Sequence, residues 1–490
     1  MARSLLYLIS CIAVSLPLRT TCVDYQELGT FSVAFPAFSS LVQSPQSSDV
    51  YDLLLSSFSV VPGSIDHVWG VHDVGRTINE PDKIQPTLIS DAFVWPNEVS
   101  LVPETVFAES GVVCVSSGRF PPKNNGSVAL IPGWPGNVGN PVVISSAPSQ
   151  ELWSYTGAAQ WIDMNGDGRL DAVVARFSFV IVPPNPPTFQ GQLVWFEQPA
   201  SGGLQTPNWT AHVLIQGPEF RSVAVRLPVG GVEKLAILCP EYFGGKLQVV
   251  WTEDPGDEWT DTTLIRTAII DDDGERYFDV QVTDVNADGK DELLVVTSSE
   301  TNGTVRVYEI PDDFRNGAWE RHVIASGFSV PGPETQNKGT PGSPTLLKLT
   351  SAQKKPPILL SGDDDRHAYL LIPSADDPAD WSYDKRPLLA TTGIVGGVSA
   401  ADVDGDGNIE AIIPAYGEDK VHVFRFTDVT NRSGVTDVIN VSGVTDVTTV
   451  SGVTDVTTVS DVANGSDGVT VFISGPAGLF LVVLACALLY

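Results

Sequence analysis

Basic residues are scarce in this chain of 490 residues: 28 Lys and Arg stand against 59 Asp and Glu, a formal charge of −31. That balance excludes nucleic acid and anionic membrane surfaces as partners held by charge. It suits a protein that holds divalent cations. Cysteine is also scarce. Of five, Cys11 and Cys486 lie in terminal segments expected to be removed, and Cys22 lies beside a cleavage point, so the body keeps Cys114 and Cys239. Both sit in apolar, strand-like runs and are either buried thiols or one disulfide. Catalytic signatures are missing: there is no Gly-x-Ser-x-Gly, His-Glu-x-x-His or Cys-x-x-Cys, and no phosphate-binding glycine-rich loop. Long stretches of helical period are missing too. Apolar residues are not: 42% of the chain is hydrophobic and only 18% charged. Such a chain buries a large core rather than staying disordered.

The termini read as processing signals. Arg3, an apolar run from Leu5 to Leu16 and small polar residues near Cys22 make a secretory signal over residues 1–22. The run is too short to span a bilayer, and a buried N-terminal segment is the competing reading. At the other end, Asn464, Gly465 and Ser466 precede an apolar tail that closes on Leu-Leu-Tyr490. Small residues, a short spacer and a terminal apolar tail make a glycosylphosphatidylinositol signal over 466–490. The alternative is a retained tail helix, which Ser474-Gly475-Pro476 interrupts and no basic residue follows. Sequons at Asn125, Asn208, Asn302, Asn431, Asn440 and Asn464 fit a glycoprotein of the secretory pathway. The expected location is the outer face of the plasma membrane or the cell wall.

One element recurs through the body as an apolar, β-rich run, often with an acid just before it. Its copies begin at Asp52, Val112, Asp171, Lys234, Glu292, Pro357 and Glu410, at intervals of 53 to 65 residues. A second element follows in phase, as in Leu193-Val-Trp-Phe-Glu-Gln-Pro199 and Val249-Val-Trp-Thr-Glu-Asp-Pro255. A third begins at Trp209, Trp259, Trp319 and Trp381, with His212 and His322 at matching positions. Each unit is thus several short strands separated by Pro, Gly, Asn and Asp turns. Seven such units predict an all-β fold, a seven-bladed β-propeller over residues 23–427, closed into a ring without a long free edge. A sandwich would not repeat seven times, and a solenoid has shorter repeats. Beyond it, nine-residue Ser-Gly-Val-Thr-Asp-Val repeats predict a low-complexity Ser/Thr/Val-rich stalk over 428–465, with a small stacked β-structure as the alternative.

Three segments place acids at alternating positions: Asp163, Asn165, Asp167, Arg169 and Asp171; Asp284, Asn286, Asp288, Lys290 and Glu292; Asp402, Asp404, Asp406, Asn408 and Glu410. Calcium needs six to eight oxygens at about 2.3–2.6 Å. Positions 1, 3 and 5 of a tight loop supply side-chain oxygens, position 7 a carbonyl, position 9 a carboxylate, and glycine at position 6 allows the bend. An EF-hand would need an acid at position 12, where Val174, Val295 and Ile413 stand inside apolar runs. The expectation is about three Ca²⁺ ions, each bracing one blade; a solvated acidic turn is the alternative.

The Asp-x-Asp/Asn-x-Asp-Gly-x-x-Asp/Glu loop followed by an apolar strand resembles the FG-GAP or VCBS repeat of integrin α-subunit propellers, across about residues 30–427. The resemblance implies a calcium-bearing propeller; the Phe-Gly and Gly-Ala-Pro signatures are not evident, so no integrin-like partner is implied. The stretch 195–212 also looks like propeller domains of carbohydrate-active lyases such as fungal aldos-2-ulose dehydratase, whose cupin domains find no room here. Of the remaining candidates, Asp363-Asp-Asp-Arg-His367 is either an acid–base cluster or a solvated turn, and His67 and His72 have no metal spacing. Trp69, Trp95 and Trp134 either stack on sugars or pack the core. Two functions follow: a cell-surface binding module for a protein or glycan, or an extracellular lyase or dehydratase on the same scaffold.

Overall fold

In the computed structural model, residues 23–428 are described apart from 62, 120–122, 124, 146–151, 181–187, 334, 336–337 and 350–353, together with the backbone of two strands within 469–484. The expected signal segment, nearly all of the stalk, and Asn431, Asn440 and Asn464 lie outside the described residues.

The chain divides into two compact units, Met1–Thr430 and Asn431–Tyr490. The first is a seven-bladed β-propeller. Its blades occupy 36–90, 96–143, 153–216, 223–271, 276–328, 344–390 and 399–428; each is an antiparallel sheet, and in blades 1, 2, 4, 5 and 6 it has four strands in sequence order. Blade 3 has its first strand in two pieces, Trp153–Tyr155 and Gln160–Ile162, both paired with Asp171–Val180. Blade 7 borrows its outermost strand: Val23–Ser32 pairs antiparallel with Lys420–Asp428, and this closes the ring. In the second unit, Val469–Gly475 pairs antiparallel with Gly478–Leu484. Among the described residues no helix is long and apolar enough to cross a membrane.

Each recurring apolar run forms the second strand of its blade. Leu53 to Leu55, Leu293 to Val296 and Ala411 to Ile413 are at most 1% exposed. A second strand has neighbours on both edges and a blade against each face. Its sequence is therefore continuously apolar rather than alternating. Outer strands such as Thr210–Gln216 meet water and alternate between exposed and covered residues. The core lies between blades. One cluster joins Cys114, Leu130 and Phe196 across blades 2 and 3. Another joins Val305, Phe328 and Leu360 across blades 5 and 6. Cys114 and Cys239 are free, buried thiols in blades 2 and 4, so they make no disulfide. Burial pushes the Cys114 thiol up to about 12 and raises that of Cys239 as well.

Antiparallel order fixes the two faces of the ring. Connections from first to second strand and from third to fourth share one face. Connections from second to third strand and from blade to blade share the other. The sequence assigns chemistry to the two faces very differently.

Candidate binding face and acidic loops

The three acidic loops join first and second strands of blades 3, 5 and 7, so all lie on the first face. Their backbones agree closely. Position 6 is left-handed in each, at Gly168, Gly289 and Gly407 (φ +83°, +87°, +87°). Position 4 is left-handed as well, at Gly166, Ala287 and Gly405 (φ +73°, +61°, +72°). Position 1 accepts a hydrogen bond from the amide of position 6 in every loop, at 2.8, 2.9 and 3.0 Å. The buried acid at position 9 accepts from the amide of position 2: Asp171 from Met164 at 3.0 Å, Glu292 from Val285 at 2.9 Å, Glu410 from Val403 at 3.2 Å.

Excess negative charge gathers inside these loops. Burial, with the neighbouring loop carboxylates, pushes Asp171 up to about 6 and Glu292 and Glu410 to about 7. One carboxylate oxygen of Asp284 and one of Asp402 are buried without a hydrogen-bond partner. Carboxylate oxygens of Asp402, Asp404 and Glu410 lie within 4.8 Å of one another. Unpaired oxygens and mutually raised acids are what a hard divalent cation relieves, so the residues fit calcium. The loops differ in their own cations. In blade 7 the Arg425 guanidinium contacts Glu410 at 2.7 Å and Asp404 at 2.8 Å, with Asp406 at 3.6 Å. In blade 3 Arg169 pairs with Asp167. Among the described residues, no basic side chain forms an ion pair with the blade 5 loop.

The opposite face gathers ionisable and aromatic side chains around the ring axis. Arg221, in the connection from blade 3 to blade 4, reaches Glu98 of blade 2 at 2.8 Å and Asp279 of blade 5 at 3.0 Å. It also donates to the Ser343 hydroxyl beside blade 6 and lies over the Phe38 ring of blade 1 at 5.5 Å. One side chain can touch blades 1, 2, 5 and 6 only at the axis, so Arg221 spans the central channel. Glu98 is nevertheless raised by burial, an effect its proximity to Arg221 offsets in part.

Around this mouth stand rings from blades 7, 1 and 2. Phe58 stacks on Trp95 at 4.3 Å, with Tyr416 at 6.0 Å and Phe38 at 6.2 Å, and Phe35 lies 5.4 Å from Tyr416. The Arg119 guanidinium sits 5.9 Å over Trp95. Trp95 takes a left-handed backbone (φ +52°) because Asp66 accepts its amide at 2.8 Å. Asp66 is in turn held by the buried Lys123 ammonium, 2.7 Å from both carboxylate oxygens. The indole nitrogen of Trp95 is buried without a partner.

The Asp363–His367 segment enters the same mouth as a turn in which Asp365 is buried and Arg366 is exposed. Asp365 is 3% exposed and accepts from Thr340, Tyr369 and the His367 amide at 3.0, 2.8 and 2.9 Å. Burial raises Asp363 and Asp364, Asp364 raises Asp363 further, and Arg119 opposes both shifts. His212 and His322 do occupy one repeat role. They bond Glu197 and Glu309, each at 2.9 Å, and stack on Trp195 and Trp381. His72 bonds the buried Asp52 at 2.8 Å, and His67 stacks on Trp69. Trp134 is a core residue whose indole donates to Asp52 at 2.8 Å. Asn125, Asn208 and Asn302 are exposed. Sequence reading missed Arg119, Arg221, Glu98 and Asp279, since no local spacing marks residues that meet only across the axis.

The chain matches no protein-family model, and no curated protein is significantly similar to it. Solved structures align with the chain at low similarity. A puromycin-hydrolysing peptidase of Mycobacterium tuberculosis aligns with TM-score 0.41 and 12% identity, over 80% of this chain and 53% of the peptidase. A glucose dehydrogenase of Thermus thermophilus aligns with TM-score 0.34 and 13% identity, over 69% of this chain and 98% of the enzyme. The Dos1 propeller aligns with TM-score 0.38 and 10% identity, over 77% of this chain and 76% of that one. The chain spans about half the length of the peptidase.

Proposed function

We propose that this protein is a cell-surface propeller that binds a glycan across the channel-mouth face, with calcium bracing the three acidic loops on the opposite face. The observation that carries the reading is the convergence of Arg119, Arg221, Glu98 and Asp363 with the rings of Phe58, Trp95 and Tyr416, drawn from blades far apart in sequence. Aromatic faces stack on sugar C–H surfaces, while guanidinium and carboxyl groups bond hydroxyls. The calcium part rests on three loops of one geometry, two of them with an unpaired acid oxygen, and it supports the resemblance to FG-GAP/VCBS repeats. Display at the cell surface, through a lipid anchor replacing the C-terminal tail, belongs to the same proposal.

A glycan array followed by calorimetry tests the binding face. Trp95→Ala and Arg119→Ala should each weaken the selected glycan at least about tenfold, the loss of one buried contact of about 1.4 kcal/mol, with the folded circular dichroism spectrum retained. Unchanged affinity in both variants would refute the assignment of the face. Metal analysis and chelator-dependent unfolding test the loops: bound calcium and a midpoint several degrees lower in chelator are expected. A phosphatidylinositol-specific phospholipase should release the protein from cells. The lyase reading has one observation in its favour, the raised acids Asp363 and Asp364 beside Arg119; turnover of the bound glycan, lost in Asp363→Asn, would decide for it.

A further inference from the structure

A second cavity opens on the same face as the channel mouth, between blades 3 and 4, with a volume of about 500 Å³. Its walls include the rings of Phe189 and Phe243, the amides of Gln190 and Gln216, and the carboxyls of Glu219 and Glu241. The two rings stack face to face at 3.7 Å. The backbone is cut to fit the acids. A Cβ at Gly217 would fall 2.8 Å from a Glu241 oxygen, and one at Gly244 would fall 2.0 Å from the other.

The charges in this cavity do not balance. Glu241 is 2% exposed, and its Oε1 faces the Lys246 ammonium at 3.4 Å and accepts from the Gln248 amide. Glu219 is 3% exposed and has no basic partner among the described residues. Its Oε1 accepts from the Gly244 amide at 2.9 Å, and its Oε2 is buried without a hydrogen-bond partner. Two buried carboxyls therefore share one cation. A buried carboxylate oxygen left unpaired costs free energy until a donor or a charge meets it.

We propose that this cavity receives an organic ammonium group, which donates to Glu219 Oε2 and lays its hydrocarbon against Phe189 and Phe243. Phenyl faces attract an ammonium and its C–H groups. They offer no oxygen to a metal, and calcium requires six or more. In the absence of a ligand, burial and the neighbouring Glu241 push the Glu219 carboxyl up to about 8, offset in part by the amides of residues 242–244. That carboxyl therefore holds a proton more readily than a free one does. Arrival of a ligand ammonium ionises it: the O–H bond breaks, the carboxylate keeps the electron pair, and the proton passes to the buffer. This site stands apart from the channel mouth and does not depend on what the mouth binds.

Isothermal titration of the secreted protein at pH 7, in phosphate and in MOPS, decides the matter with three probes: glucosamine, ethanolamine and N-acetylglucosamine. Both amines should bind, and the difference in heat between buffers should report proton release. N-acetylglucosamine, which has no ammonium, should not bind here. Glu219→Gln should weaken both amines at least about tenfold and abolish the proton release, because the charge-assisted bond is lost. Any of three results overturns the proposal: no amine heat at millimolar concentration, N-acetylglucosamine binding that Glu219→Gln weakens as it weakens the amines, or amine binding without proton release in the natural protein. If Glu219→Gln does not fold, the buffer dependence of the natural protein and an expected loss of amine binding in Phe243→Ala decide instead.

Discussion

Ala287 is the odd residue among the three acidic loops. It holds a left-handed backbone at φ +61°, where its two counterparts are glycine. An L-residue with a Cβ is disfavoured there by roughly 1–2 kcal/mol. Ala287→Gly should therefore stabilise the protein by about 1 kcal/mol, less the entropy glycine adds to the unfolded chain, read as a higher urea midpoint at unchanged slope. A lower midpoint would show that the loop carries no such strain. Glu219 supports a second prediction at this scale. Its folded pKa is raised to about 8, above its unfolded value near 4.5, so the folded state binds its proton more tightly. The stability tied to that proton is complete below about pH 4.5 and is lost as pH rises through 8. Unfolding midpoints should fall across that window, and Glu219→Gln should flatten the fall. An identical slope in the variant would assign the pH dependence to other groups.

At the scale of single elements, one strand position distinguishes the acidic loops. The position-9 acid of blade 7 pairs across its ladder with Arg425, while that of blade 5 pairs with Glu309. The acids of the blade 7 loop thus hold a paired cation, while among the described residues no basic side chain pairs with those of the blade 5 loop. Calcium should fill blade 5 first and blade 7 last. Arg425→Gln should tighten the blade 7 site by about tenfold or more, since a guanidinium in ligand-contact range competes with the ion for the same oxygens. Calcium titration of the natural protein and the variant checks this; equal stepwise affinities before and after would remove Arg425 from the account. The loops were legible in the sequence because their acids sit at alternating positions of one short segment. Arg425 was not, because it faces Glu410 only through the strand register.

At the scale of the molecule, the ring depends on two ties that are remote in sequence. The first is the pairing of Val23–Ser32 with Lys420–Asp428. Removing residues 23–32 would leave the last strand of blade 7 as an open edge next to the buried Val421 and Val423. Such an edge templates association. The truncated protein should aggregate or melt at a much lower temperature; size-exclusion chromatography and circular dichroism check this, and a monomer of unchanged midpoint would argue against the closure. The second tie is Arg221, which spans the axis between Glu98 and Asp279. Truncating it would leave two carboxyls without their cation, so Arg221→Ala should cost about 3–5 kcal/mol, read as a lower unfolding midpoint.

The sequence by itself determined the all-β class, the seven units and the position of each apolar second strand. Those features follow from local period and composition: a strand with neighbours on every side must be apolar throughout, and that run recurs where each blade recurs. It also determined the three acidic loops, whose candidate ligands lie within nine residues. Only the tertiary structure decided that Cys114 and Cys239 stay apart in different blades, that Asp365 is buried while Asp363 faces the channel mouth, and that Arg221 meets Glu98 and Asp279. Closing a ring brings first strands from distant blades to one axis, and no spacing along the chain encodes which side chains meet there. The cavity of Glu219 and Glu241 arises in the same way, from the seam where blades 3 and 4 pack.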